Sequence, residues 1–263
     1  MRVLITNDDG VDSAGIAVLA GVAEELALDV VVAAPAWDSS GASASLTGVS
    51  DDGRLVLEKR SWPDLDSVSV FAVHAAPAMI VRVGVRGAFG PTPDLVLSGI
   101  NHGPNTGHAV LHSGTVGAAL TAATHGCRSV AFSLGPASAP NFDAAAAVAR
   151  QIIPQALDAP PPLTLNVNVP SGSAGELRGV RPAVLAGFGA VQTTVTEIEQ
   201  GYVELTFAEI DPRGEPDSDA VLLSQGFATV TALSPVCEAT DIDLRATGPT
   251  GWGIGAPVDE HAR

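Results

Sequence analysis

Two adjacent carboxylates, Asp8 and Asp9, stand between Asn7 and Gly10, directly after the apolar run Val3-Leu4-Ile5. Such a run reads as a short buried strand. The pair therefore falls at the strand's carboxyl edge, where open α/β folds carry their sites. Two hard oxygen ligands there suit a divalent cation. Successive strand residues point to opposite faces, so both carboxylates reach one ion only if the pleat ends at this point. Gly10 permits the break, because it tolerates backbone angles that other residues avoid. A second role fits the same pair: Asp8 or Asp9 could cap a helix starting near Ser13.

Two later segments offer ligands of matching chemistry. Ser39-Ser40-Gly41-Ala42-Ser43 follows a strand predicted over 29–34. Ser98-Gly99-Ile100-Asn101-His102-Gly103-Pro104-Asn105-Thr106-Gly107 follows one predicted over 94–98 and runs toward Ser113-Gly114-Thr115-Val116-Gly117 at a helix start. A hydroxyl from the first and an amide oxygen from the second would complete an all-oxygen set, suited to Mg²⁺, Mn²⁺ or Ca²⁺ rather than to a soft metal. Four protein ligands leave positions for water and a phosphate oxygen. The helix start offers backbone N–H groups and a favourable dipole to an anion. Metal beside helix terminus is an arrangement for phosphate hydrolysis, in which the ion polarises a phosphoryl oxygen and activates the attacking water.

Short apolar runs alternating with helical patterns must hold these loops in place. Strands are predicted at 2–6, 29–34, 68–73, 94–98 and 129–133, and helices near 15–27, 77–88, 115–125 and 142–157. That alternation is the pattern of βαβ units and a mostly parallel sheet. Right-handed crossovers put the loops after the strands on one edge. Pro160-Pro161-Pro162 precedes a further strand, Leu163 to Pro170. From about 171 to 212 the pattern alternates, as in Thr193 to Ile198 and Tyr202 to Phe207, and predicts a β-hairpin lobe or oligomerisation arm. Asp217-Ser218-Asp219 then opens a short helix before a return strand, Phe227 to Leu233. The division expected is a catalytic core over 1–170 and an accessory segment over 171–263.

Composition narrows the function. At 263 residues and 46% hydrophobic, the chain can bury a sizeable core. No run approaches the roughly 20 apolar residues of a membrane helix, and no signal-peptide h-region is visible, so a cytoplasmic location is expected. Thirteen basic against 29 acidic residues give a net charge of −16, which repels nucleic-acid polymers but leaves room for a small phosphorylated ligand beside a cation. Cys127 and Cys237 are too few for a disulfide framework and read as small buried apolar residues. Receiver domains and haloacid-dehalogenase-type phosphatases also end their first strand in acids, but both need a site lysine. Lys59 is the sole lysine and reads as an ordinary strand cation.

On these motifs the chain resembles the SurE family of metal-dependent nucleotidases and acid phosphatases. The likeness covers the Asp-Asp-Gly loop, Ser40-Gly41-Ala42-Ser43, Ser98 to Asn101 with Gly103, Asn105 and Gly107, and Ser113 to Ala119. It continues through Asn166 to Pro170, Ser218-Asp219-Ala220, Gly226-Phe227 and Val230-Thr231. The resemblance implies Asp8, Asp9, Ser40 and Asn101 as ligands of one divalent ion. It also implies a Rossmann-like three-layer α/β/α sandwich and a homodimer or homotetramer built partly through the C-terminal arm.

Departures from the family pattern gather on the substrate side. The second loop, usually rich in arginine, reads Ala36-Trp37-Asp38-Ser39, with Ala44 in place of an asparagine and His112 in place of a tyrosine. Ala75-Ala76-Pro77-Ala78-Met79 replaces a Gly-Thr-Pro-Ala-Asp-like stretch. Gly99 to Gly107 lacks the dinucleotide fingerprint. His108 and His112 have the i, i+4 spacing of a helical metal pair, yet a glycine-rich setting favours pocket-lining roles. One of these histidines could protonate a leaving alkoxide; His74, His125 and His261 read as structural. Asp8 and Asp9 are the catalytic candidates, with Ser113, Gly114, Thr115, Asn105 and His112 on the phosphate side. The expected function is a divalent-metal phosphomonoesterase of nucleoside monophosphates or a related small phosphate ester. A specialised sugar- or metabolite-phosphatase and a weakened ligand-binding paralogue are the alternatives.

Overall fold

The structure, a computed structural model, describes residues 1–63, 65–187, 191–199, 202–209 and 215–238. In chain order the elements are β1 (Arg2–Thr6), α1 (Ala14–Glu25), β2 (Asp29–Pro35), β3 (Ser50–Asp51), β4 (Arg54–Leu55), β5 (Leu57–Arg60), β6 (Ser69–Val73), α2 (Pro77–Gly84) and β7 (Leu95–Asn101). Then follow α3 (Gly114–Thr124), β8 (Arg128–Leu134), α4 (Asp143–Asp158), β9 (Leu163–Val169), β10 (Val180–Pro182), β11 (Val191–Glu199), β12 (Tyr202–Glu209), α5 (Asp219–Ser224) and β13 (Ala228–Ala232). Nine strands form one sheet in the order β10-β13-β9-β8-β7-β1-β2-β6-β5. The central strands are parallel, and β5 and β13 join antiparallel. The fold is thus α/β with a mostly parallel sheet, as the alternation of runs predicts.

Central strands are buried along nearly their whole length because helices cover both faces. On one face α1 and α4 pack over Val3, Ile5, Leu97 and Phe132. On the other, α2 and α3 cover Leu4, Val31 and Val96. From β1 the chain works outward through β2 and β6, then returns to lay β7 on the other side of β1. Strand order reverses there, which opens a crevice between β1 and β7 at their carboxyl ends.

Three expectations need correction. Helix α2 ends at Gly84 rather than 88. Val85 and Phe89 are buried beyond its end, so burial continues the apolar periodicity after the helix has stopped. Strand β7 runs to Asn101 rather than 98, through a register shift against β8 between Ser98 and Asn101. Cys237 is exposed, because it lies past the last strand of the sheet, while Cys127 is buried as expected.

The alternating segments pair as the antiparallel hairpin β11–β12. Among the described residues no helix is long and apolar enough to cross a membrane. Trp252, His261 and the tail beyond 240 lie outside the described residues.

Candidate active site

Alternation along β1 separates its polar end residues. Asn7 turns toward α1, where its amide nitrogen donates to the Gly10 carbonyl (2.9 Å) and the Ser13 hydroxyl (2.7 Å). Asp8 turns to the opposite side and accepts a hydrogen bond from the Thr115 hydroxyl at the start of α3. α3 presses closely here: a Cβ on Gly114 would lie 2.8 Å from the Asp8 carboxylate. Ser113 is the N-cap, its hydroxyl accepting from Val116 N–H at 3.0 Å. Neither aspartate caps α1, whose N-cap is Ser13.

The bulge in β7 directs Asn101. Over a regular strand Ser98 and Asn101 would face opposite sides, but Gly99 and Ile100 together oppose the single residue Phe132, and this one extra residue brings Asn101 level with Ser133 on the α3 face. Gly99 is required, since φ is +132° and a Cβ would meet the Phe132 carbonyl oxygen at 2.3 Å. The Asn101 amide nitrogen donates to the Gly103 carbonyl at 2.7 Å. Its Oδ1 is thereby turned inward, 3.3 Å from the Thr115 hydroxyl that also meets Asp8. Asp9 accepts from the His102 N–H at 3.2 Å.

The second loop closes on the first. Ser39 N–H donates to the Asp8 carbonyl at 2.6 Å, and the Ser43 hydroxyl donates to the Leu111 carbonyl at 2.6 Å. Ser40 donates its hydroxyl to Asp38 Oδ1 (2.6 Å), which leaves its oxygen lone pairs uncommitted. All three loops thus meet at one edge. Among the described residues no three of His, Cys, Asp or Glu converge to hold a metal. A cation here would depend on the neutral oxygens of Ser40 and Asn101 beside the two carboxylates, a donor set that fits a hard divalent ion.

Burial raises the Asp8 pKa against the Thr115 hydrogen bond. Asp9 is pushed up to about 6, first by burial and then by the charge of Asp8. Two carboxylates held together without a cation oppose each other's ionisation.

Other candidates have different surroundings. Asn105 is bound into the fold: its amide nitrogen donates to Ser133, its N–H to Asn168, and its carbonyl accepts from Asn166 and Asn168. Thr115 turns its hydroxyl to Asp8. His108 and His112 lie on a 3-10 helix, Gly107–His112, where four residues advance about 480°, so their spacing does not align them as on an α-helix. His112 is exposed beside the N-cap of α3. Trp37 packs edge-on against His74 (5.4 Å) and remains 44% exposed.

Two further aspartates shape the site. Asp38, which also raises the Asp9 pKa, bonds Ser40 in a turn that the Asp-x-Ser spacing signals. Asp219 is fully buried and accepts from the N–H groups of Gly107 (2.9 Å) and Ala186 (3.0 Å), tying the third loop to α5. Burial raises its pKa against these bonds. Asp219→Ala should cost about 2–4 kcal/mol by leaving both N–H groups without their acceptor; a urea midpoint equal to that of the parent protein would contradict this clamp.

A family model for survival protein SurE matches residues 3–190. The 5'-nucleotidase SurE of Pseudomonas putida strain W619 is 35% identical over 240 residues, covering 89% of this chain and 92% of the relative. That of Azotobacter vinelandii is 35% identical over 239 residues, with the same coverage of 89% and 92%. The crystal structure of the SurE protein from Aquifex aeolicus matches with a TM-score of 0.77 at 31% identity, over 92% of this chain and 96% of that one.

Proposed function

This chain belongs to the SurE family, and from that premise we propose that it is a divalent-metal-dependent phosphomonoesterase of nucleoside monophosphates or a related small phosphate ester. The carrying observation is the convergence of Asp8, Asp9 and the inward Oδ1 of Asn101 at the carboxyl ends of β1 and β7, under the N-terminus of α3.

Asp8, Asp9, Ser40 and Asn101 are the proposed ligands of one Mg²⁺, Mn²⁺ or Ca²⁺ ion. A bound divalent ion supplies charge neutralisation for the phosphoryl oxygens and lowers the pKa of the attacking water. The chain's own groups do the rest. Thr115 holds Asp8 in one rotamer, and His102 N–H fixes Asp9. A carboxylate of this pair orients the attacking water. Ser113, Gly114 and Thr115 offer the positive end of the α3 dipole to the phosphate. Asn105 holds the loop that shapes the phosphate side, and exposed His112 stands beside it as a proton donor to the leaving alkoxide. Cytoplasmic residence, assembly as a homodimer or homotetramer, and the division into a core over 1–170 and an accessory arm over 171–263 belong to the same proposal.

Phosphate release from p-nitrophenyl phosphate with added Mg²⁺ or Mn²⁺ tests the reading, and activity that persists after exhaustive chelation would overturn its metal dependence. Calorimetric titration adds a measure independent of turnover. Ligation needs ionised carboxylates, so proton and metal compete at Asp9, whose pKa is about 6. Apparent Mn²⁺ affinity should fall at least about tenfold per unit below that pH. Constant affinity down to pH 5 would remove Asp9 from the ligand set.

A further inference from the structure

The loops of the proposed site contain no lysine or arginine: none occurs between Arg2 and Arg54, nor between Arg86 and Arg128. The fold also keeps most described cations away from them. Arg2 and Arg128 start β1 and β8, at the edge opposite the site, bonded to Asp29 and to the Ala159 carbonyl. Arg60 faces Val70 at the start of β6, and Arg150 pairs with Glu25 at the end of α1, both at that same far edge. Arg82 and Arg86 lie at the end of α2. Arg178 and Arg181 stack on Phe227 near β10, five strands from β1, or roughly 24 Å at about 4.8 Å per strand. Arg54 and Lys59 are on β4 and β5, outside the three loops. Arg213, Arg245 and Arg263 lie outside the described residues.

Negative charge, by contrast, is concentrated at the site. Asp38 accepts from both the N–H and the hydroxyl of Ser40, which holds a third carboxylate beside Asp8 and Asp9. One divalent ion and one helix terminus of roughly half a charge oppose three carboxylates and an incoming phosphoryl group. No lysine or arginine in these loops matches a second phosphate. The large exposed side chains around these loops are apolar, Trp37 at 44% and Leu111 at 69% exposure, and neither can form a charge-assisted fork to phosphate.

We infer that the site takes phosphomonoesters bearing a single phosphoryl group on an uncharged alcohol, and discriminates against substrates carrying a second phosphate. The inference rests on the phosphatase reading above and narrows it. Like-charge repulsion acts on encounter and is screened by salt, which gives it a signature that a merely shape-based exclusion lacks.

The test compares kcat/KM for p-nitrophenyl phosphate, adenosine 5'-monophosphate, adenosine 3',5'-bisphosphate and tripolyphosphate, with Mn²⁺ at one fixed pH. The bisphosphate and tripolyphosphate should be poorer than the monophosphates by on the order of 10²-fold, and the gap should shrink as salt rises. Trp37→Arg should raise the bisphosphate-to-monophosphate ratio at least about tenfold, whereas Trp37→Gln should leave that ratio unchanged. Turnover of the bisphosphate and tripolyphosphate comparable to the monophosphates overturns the inference and leaves the phosphatase reading standing. A salt-independent gap, or an equal rise with Trp37→Gln, overturns the charge mechanism. No turnover of any of the four overturns the phosphatase reading and the inference with it.

Discussion

Asp8→Asn or Asp9→Asn is expected to lower phosphate release at least about a thousandfold while the protein remains folded, because each removes a negative ligand from a set with only two. The fold should tolerate the change, since an Asn Oδ1 still accepts the Thr115 hydroxyl at position 8 or the His102 N–H at position 9. Stability should move the other way from activity. Burial and the neighbouring charge raise the Asp9 pKa from 3.8 to about 6, so the native state holds the proton more tightly than the unfolded chain. Metal-free stability therefore falls as pH rises from about 4 to about 6, and above that range the ionised pair is a standing cost. Asp9→Asn relieves about 1 kcal/mol of it after solvent screening, or about 2–3 °C in Tm for a chain of this size. Mn²⁺ should raise the Tm of the parent protein by mass action but not that of the variant. Ser40→Ala and Asn101→Ala should fall between, with activity partly restored by excess metal, because neutral ligands fix geometry and add little charge. A parent-like Mn²⁺ shift in Asp9→Asn would remove this carboxylate from the site.

The ease with which Asp8 and Asp9 stand out follows from where they are. Parallel strands buried on both faces read as uninterrupted apolar runs, so Val3-Leu4-Ile5 marks β1 without help from the rest of the chain. The first polar residues after it must lie at the carboxyl edge. Asn101 is harder to place, because Gly99 reads locally as a strand breaker. Only the close approach of β8, whose Phe132 carbonyl occupies the space of a side chain at 99, turns that break into a bulge that re-aims Asn101. Asp219 is harder still. Local sequence makes it a helix opener, whereas Ser218 caps α5 and Asp219 reaches Gly107, 112 residues earlier. His108 and His112 mislead for a different reason: their spacing has meaning only on an α-helix, and Gly107–His112 winds more tightly. Patterning within one element is legible in the chain; hydrogen bonds between distant elements are consequences of packing.

Gly117→Ala should be damaging although it touches none of the proposed ligands. A Cβ at 117, on the buried face of α3, would lie 2.5 Å from the Ser43 carbonyl oxygen and 2.7 Å from Ala44 N. Both are backbone atoms, so no side-chain rotation relieves the clash, and either α3 or the Ser40 loop must withdraw. Overpacking of this kind costs about 1–3 kcal/mol. The larger effect is on geometry, because Ser43 anchors this loop to the Leu111 carbonyl and lies three residues from Ser40. A displacement of about 1 Å at a reacting centre lowers turnover on the order of 10²-fold. Gly21→Ala in α1 is the matched control, since a Cβ there meets nothing within 4 Å. It should stabilise the helix by up to about 1 kcal/mol and leave kcat/KM unchanged. Equal kcat/KM in Gly117→Ala and the parent protein would show that contact with α3 does not position the Ser40 loop.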